Sequence, residues 1–150
     1  MMDKLERIIF VGRSGTCREP MAMGILNDIS LKEDVEVLAR GLVVSFPEPM
    51  NGKAEAVLIS NGINLKDFTS QKLMSEDITE RTLVLTMERK QREKVLANFE
   101  NTHIENVYVL TDFVGDELEI IDPYGGSLQS YGLCYESLRK SLKKLVKILN

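Results

Sequence analysis

The residues best equipped for chemistry lie together near the start of the chain, in Val11–Met21, VGRSGTCREPM. Gly12, Ser14 and Gly15 let the backbone turn tightly and approach a ligand closely, so that successive N–H groups can converge on one anion. A helix opening at the end of this stretch would add the positive end of its dipole. Arg18, at the junction of loop and helix, carries a planar guanidinium that can hold two phosphate oxygens at once. The chemistry implied is the binding of a small oxyanion such as phosphate by Arg13, Ser14, Gly15, Thr16, Cys17 and Arg18. A glycine-containing turn between a strand and a helix is a weak signal when taken alone. The competing reading is an ordinary turn whose Arg18 pairs with a neighbouring carboxylate.

A second candidate cluster stands near the other end, in DPYGGSLQSYGLCYESL, residues 122–138. Asp122 taken alone reads as the acidic turn residue before Pro123. Tyr124 and Tyr131 could pack the last helix. The single histidine, His103, cannot make a zinc site alone, and no Cys/His cluster has ligand spacing. No metal or cofactor is expected. The two cysteines, Cys17 and Cys134, are far apart in sequence and are expected to remain thiols in a reducing compartment.

The elements that must position these residues follow from periodicity. RIIFV, Arg7–Val11, is a short apolar, β-branched run ending at a Gly/Ser/Thr-rich stretch, which predicts a buried strand and then a loop. EPMAMGILNDI predicts a helix, with Pro20 early, where a missing N–H is harmless, and Met21, Ile25 and Ile29 at four-residue steps. Val35–Gly41 reads as a second strand, and residues 51–62 as a helix opened by Asn51 and closed by Gly62. Thr82–Met87 is a third strand, followed by a polar helix in which Glu88/Arg92 and Arg89/Glu93 stand four apart. Glu105–Leu110 is the fourth strand. A long helix runs from about Ser127 to the end, with Tyr135, Leu138, Leu142, Leu145 and Leu149 on one stripe.

Strand and helix alternate throughout, so the expected fold is a single α/β domain over 1–150: four parallel strands covered by helices on both faces. Ligands of such sheets bind beyond the carboxyl ends of the strands, where the Gly12–Arg18 loop falls. The length suits one domain, and 43% apolar residues suffice for a core. A net charge of −4 argues against nucleic-acid binding, which wants a basic face. MMDKLERIIFVG lacks the layout of a secretory signal, and no apolar run is long enough to span a bilayer, so a cytoplasmic protein without membrane contact is expected. The basic run RKSLKKLVK near the C-terminus complements a helix dipole and reads as a solvated face.

The two clusters together resemble the low-molecular-weight protein-tyrosine-phosphatase family. IIFVGRSGTCREPMA stands where that family has its first strand, its Cys-x5-Arg loop and the opening of its first helix. ARGL, NGINLKDFTSQKL and DPYGGSLQSYGLCYESL match later segments, so the likeness covers nearly the whole chain. It implies that the Asp-Pro loop hangs over the phosphate loop, with Tyr124 and Tyr131 walling the mouth of the cleft. It further implies that Arg18 clamps the oxyanion, that residues 13–17 supply amides, that Asp122 protonates the leaving group, and that a phosphotyrosine peptide or protein is the ligand class. Gly12 occupies the place the family gives to its nucleophilic cysteine.

Glycine supplies no thiolate, so the covalent route is closed at that position. Cys17, immediately before Arg18, is expected to point away from phosphorus as a structural residue. Glu19 stands where the family has serine. Its carboxylate suits the first turn of a helix but competes with phosphate for the same positive field; at ~4 Å and an effective dielectric near ~20, like charges repel by ~4 kcal/mol. Glu19 is therefore either an internal substitute for the anion, engaging Arg18 or Arg13, or a solvated helix-start residue. Gly15 can still turn left-handed, and Arg13 adds positive charge at the rim.

The function expected from these residues is a pseudophosphatase: a phosphatase fold with lost or impaired hydrolysis that keeps an oxyanion-binding loop or uses its cleft to bind protein. The rival is phosphomonoester hydrolysis by direct attack of water, with Arg18 and the loop stabilising the transition state and Asp122 moving protons. An engineered Cys-to-Gly form of an active enzyme fits less well, because Glu19 departs from the pattern too. The arsenate reductases that share the loop need an attacking cysteine and further redox cysteines, and only Cys134 remains outside it.

Overall fold

Ile8, Ile9, Phe10 and Val11 are all fully buried, as a β-branched run must be at the centre of a sheet covered on both faces. Their strand, β1 (Arg7–Gly12), is central in a computed structural model that describes residues 4–29, 31, 34–99 and 104–150. It pairs in parallel with β2 (Glu36–Gly41) on one side and β3 (Thr82–Thr86) on the other, and β4 (Val107–Val109) completes the order β2-β1-β3-β4. The four-stranded parallel sheet predicted from the sequence is thus present. His103 lies outside the described residues.

Strand alternation divides the core in two. Ile8, Phe10, Leu83 and Leu85 face one side and Ile9, Val11, Val84 and Val107 the other. The first side is covered by α1 (Arg18–Ile29), α2 (Gly52–Ser60) and α5 (Leu128–Leu149), the second by α3 (Arg89–Asn98) and the segment through Leu73. Tyr135, Leu138, Leu142 and Leu145 of α5 are buried in the first core, so the predicted stripe is the packed face. Fully burying each such side chain contributes about 1.5–3 kcal/mol. Asn51 caps α2, its side chain accepting from the Lys53 and Ala54 amides, and Ser127 caps α5 by accepting from Ser130.

Two local expectations change. The fourth strand stops at Val109, and the chain turns at once into a short helix, α4 (Leu110–Val114), closed by Gly115 at φ 84°. Asp116 then holds this corner to α5 through Ser141 and Lys144. On α3, the four-apart pairs do not form. Glu88 joins Arg18 and Lys90, Arg89 joins Asp112 and Glu119, and Arg92 donates to the Val107 carbonyl. Tertiary partners outbid a helix-surface pair worth only about 0.2–0.5 kcal/mol. Among the described residues no helix is long and apolar enough to cross a membrane.

Candidate functional site

The strand order reverses beside β1, and the loop Gly12–Arg18 leaves β1 at that switch point. The loop is fixed from outside by its carbonyls. Gly12 O accepts from Leu42 N at 3.0 Å, Arg13 O from Val43 N at 2.8 Å and Thr16 O from Asn51 N at 2.8 Å. Gly15 adopts φ 74°, the left-handed turn expected of it, and packs on the end of β2. A β-carbon on Gly41 would stand 2.5 Å from the Ser14 carbonyl carbon, so the loop can sit here only against a bare backbone. This explains the glycine of the ARGL segment.

Glu19 is the dominant feature inside the loop. It is 1% exposed, which removes the solvated reading of this residue. Its Oε1 accepts from the Gly15 N–H at 2.7 Å. A β-carbon placed on Gly12 would lie 2.3 Å from Glu19 Cδ and 2.4 Å from Oε2. The carboxylate therefore fills the space that any side chain at position 12 would need. Burial pushes its pKa up to about 7; Arg18 and the amides of Glu19 and Gly15 pull the other way, and Asp122 adds to the rise.

Arg18 is buried too, but its guanidinium does not grip Glu19. Nη1 donates to the Ile120 carbonyl at 2.7 Å, and Nη2 to Glu88 Oε2 at 2.7 Å. Asp122 Oδ2 stands 3.8 Å from Nη2. Burial opposes the arginine charge, yet the Glu88 hydrogen bond and the nearby Glu19, Asp122 and Glu88 carboxylates hold its pKa above the usual value. For Glu88, burial works upward, but the bond to Arg18 outweighs it and the carboxyl is held below its ordinary range. Arg18 thus ties three separate pieces together: the Gly12–Arg18 loop, the head of α3 and the Asp122 loop.

The remaining predicted residues fall into two groups. Asp122 is half-exposed beside Arg18, and its Oδ1 accepts from Tyr124 N. Arg13 and Ser14 are exposed, and Ser14 Oγ lies 2.9 Å from Thr16 Oγ1. Cys17 turns into the core, as expected of a structural cysteine, with burial raising its thiol pKa far above the ordinary range. Cys134 of α5 is buried nearby and also pushed up, to about 12, and both thiols are free. The two tyrosines separate. Tyr124 is 80% exposed, whereas Tyr131 is buried in the core, so packing of the last helix describes Tyr131 and an open cleft wall does not. Among the described residues no His/Cys/Asp/Glu group is arranged to hold a metal.

A family model described as low molecular weight phosphotyrosine protein phosphatase matches residues 7–150. The chain belongs to this family. Among its phosphatase relatives is the protein-arginine-phosphatase of Bacillus subtilis, 32% identical over 147 residues that span 95% of each chain. The low molecular weight protein tyrosine phosphatase of T. tengcongensis superposes with a TM-score of 0.90 at 31% identity, covering 96% of this chain and 99% of that one. A mutant of the YwlE arginine phosphatase with a phosphorylated active-site serine superposes at 0.88 with 30% identity and 95% coverage of both chains.

Within this phosphatase scaffold, sequence reasoning missed Glu88 and Ile120 as the partners of Arg18. Glu88 looked like part of a charged helix start, and a backbone carbonyl leaves no compositional trace. The bland reading of Arg18, as an arginine paired with a neighbouring carboxylate, is the pairing the structure contains.

Proposed function

We propose that this member of the phosphatase family does not hydrolyse phosphomonoesters by the thiol route and is a pseudophosphatase that keeps an oxyanion-binding loop. The observation that carries the reading is the pair Gly12 and Glu19: the residue at the nucleophile's place has no side chain, and a carboxyl group fills the space where one would be. A carboxylate held there repels the dianion that a phosphatase must draw in. In the same proposal Arg18, Asp122 and the amides of residues 13–18 are the inherited anion site, with phosphate or a phosphorylated peptide or protein as ligand class. Cys17 cannot substitute for the missing thiol, because its sulfur lies in the core and stays protonated. Two buried free thiols also suit a reducing compartment, and cytoplasmic residence is part of the proposal.

The test is aryl phosphate hydrolysis by the unmodified protein, Gly12→Cys, Gly12→Cys/Glu19→Ser and Arg18→Ala. The expected result is no turnover by the unmodified protein or by Gly12→Cys, whose new side chain collides with Glu19, and turnover in the double variant. Hydrolysis by the unmodified protein that disappears in Arg18→Ala would overturn the proposal in favour of direct attack by water.

A further inference from the structure

The loop already holds a carboxyl group, and that group belongs to the protein. Glu19 is fully enclosed, its Oε1 takes the Gly15 N–H at 2.7 Å, and its own backbone N–H also bonds the carboxyl group. Gly12 supplies the vacant volume that the carboxyl group fills. The loop therefore acts as an anion cup for a planar carboxylate, using few of the amides that a tetrahedral ion could engage. Arg18, the buried arginine of the loop, is meanwhile turned to Glu88 and the Ile120 carbonyl, and Arg13 is exposed at the rim.

We propose that the Glu19 carboxylate is an autoinhibitory ligand of the phosphate loop, and that protonating or removing it opens the loop to a tetrahedral dianion. This rests on the reading of residues 13–18 as an oxyanion site and adds what governs its occupancy. The carboxylate and the dianion require the same amides and repel each other across a few ångströms. Protonation ends that repulsion, and a neutral acceptor holds the Gly15 N–H about half as strongly as an ionised one.

The groups around Glu19 place this change near neutrality. Burial raises its pKa to about 7 against the pull of Arg18 on its own helix, and Asp122, from the loop before α5, adds to the rise. Glu88, at the head of α3, acts on Arg18 and is held low, so it stays ionised while Glu19 titrates. Cys17 in the loop and Cys134 on α5 have raised values and stay protonated. Glu19 therefore changes charge beside the cup as pH falls through about 7.

Sulfate is the suitable probe, because it remains a dianion from about pH 5.5 to about pH 8.5 while phosphate itself titrates in that range. Binding is followed by backbone amide NMR of residues 13–18 in the unmodified protein, Glu19→Ser and Glu19→Gln. The expected result at about pH 8.5 is sulfate affinity at least about tenfold tighter in Glu19→Ser than in the unmodified protein. The unmodified protein should itself gain about tenfold on acidification to about pH 5.5, while both variants show a flat profile. Glu19→Gln, neutral and similar in volume, keeps the test decisive if Glu19→Ser folds poorly, and should be tighter than the unmodified protein at high pH. Equal affinities at about pH 8.5, or a flat profile for the unmodified protein, would overturn the inference. Neither outcome alters the aryl phosphate assay, so this failure is separable from failure of the pseudophosphatase reading.

Discussion

Glu19 Cδ lies 2.3 Å from the point where a β-carbon on Gly12 would stand, so positions 12 and 19 are sterically coupled. Real β-carbons do not approach another heavy atom so closely, and the carboxyl group met here is buried, with its Oε1 hydrogen-bonded to the Gly15 amide. Gly12→Ala must therefore expel the carboxyl group from the loop. The expected cost is about 1–3 kcal/mol, the usual range for overpacking. In a Glu19→Ser background the same substitution should be close to neutral, since the obstacle is gone. A double-mutant cycle by urea unfolding measures the difference, and a coupling energy near zero would show that the two positions do not compete.

The buried carboxyl group also sets a slope of stability against pH. Its native pKa is raised from 4.5 to about 7, so the folded state holds this proton more tightly than the unfolded chain does. The resulting stabilisation is fully present below the unfolded value of 4.5 and is lost as pH rises through about 7. At 1.36 kcal/mol for each unit of difference, the loss is of order 3 kcal/mol. Glu88 and Asp116 have lowered values and are already ionised in this window, so they do not mask it. Unfolding free energies should fall between about pH 5 and about pH 8 in the unmodified protein and change much less in Glu19→Gln.

Much of this is legible in the sequence alone. The four strands, the capping role of Asn51 and the buried stripe of α5 follow from periodicity and capping chemistry, because those signals are local. The loop at the end of β1 was legible for the same reason, and the departure at Glu19 was legible from the resemblance to the family. Whether Glu19 would face solvent or the cup was not. That choice turns on the volume left by Gly12, seven positions earlier, and on the Gly15 amide, and neither is visible until the loop is closed. The partners of Arg18 were hidden for a similar reason: Glu88 and Ile120 are 70 and 102 positions away. On α3, local spacing pointed to the wrong pairs because the tertiary contacts are stronger than the helix-surface ones.

Arg18 and Glu88 form an ion pair that joins the loop to the head of α3, at 2.7 Å, with the arginine side chain 3% exposed and the glutamate 17%. Removing Glu88 leaves a buried guanidinium with only the Ile120 carbonyl and the more distant Asp122. Glu88→Ala should therefore destabilise by about 2–4 kcal/mol, somewhat below the full penalty for breaking a buried pair because Glu88 keeps some contact with water. Glu88→Gln, which retains an acceptor for Nη2, should cost less than half as much. Chemical denaturation of both variants checks the ordering, and equal costs would assign the effect to packing rather than to the charge pair.

Cys17 and Cys134 provide a test of which sulfur, if any, faces the loop. Both are free, buried and raised in pKa by burial, and the nearby carboxylates Glu19 and Asp122 discourage a thiolate at either position further. Nucleophilic thiols show the reverse pattern, lowered by neighbouring positive charge and open to solvent. A thiol-disulfide reagent at about pH 8 should therefore label neither cysteine in the native protein, with reaction appearing only on unfolding and then at both. Fast native labelling of Cys17 that added sulfate slows would place its sulfur inside the cup and return a candidate nucleophile to the site. Because the Cys17 side chain packs in the core with Met21 and Tyr131, the expected protection should match that of the most stable backbone amides of α1.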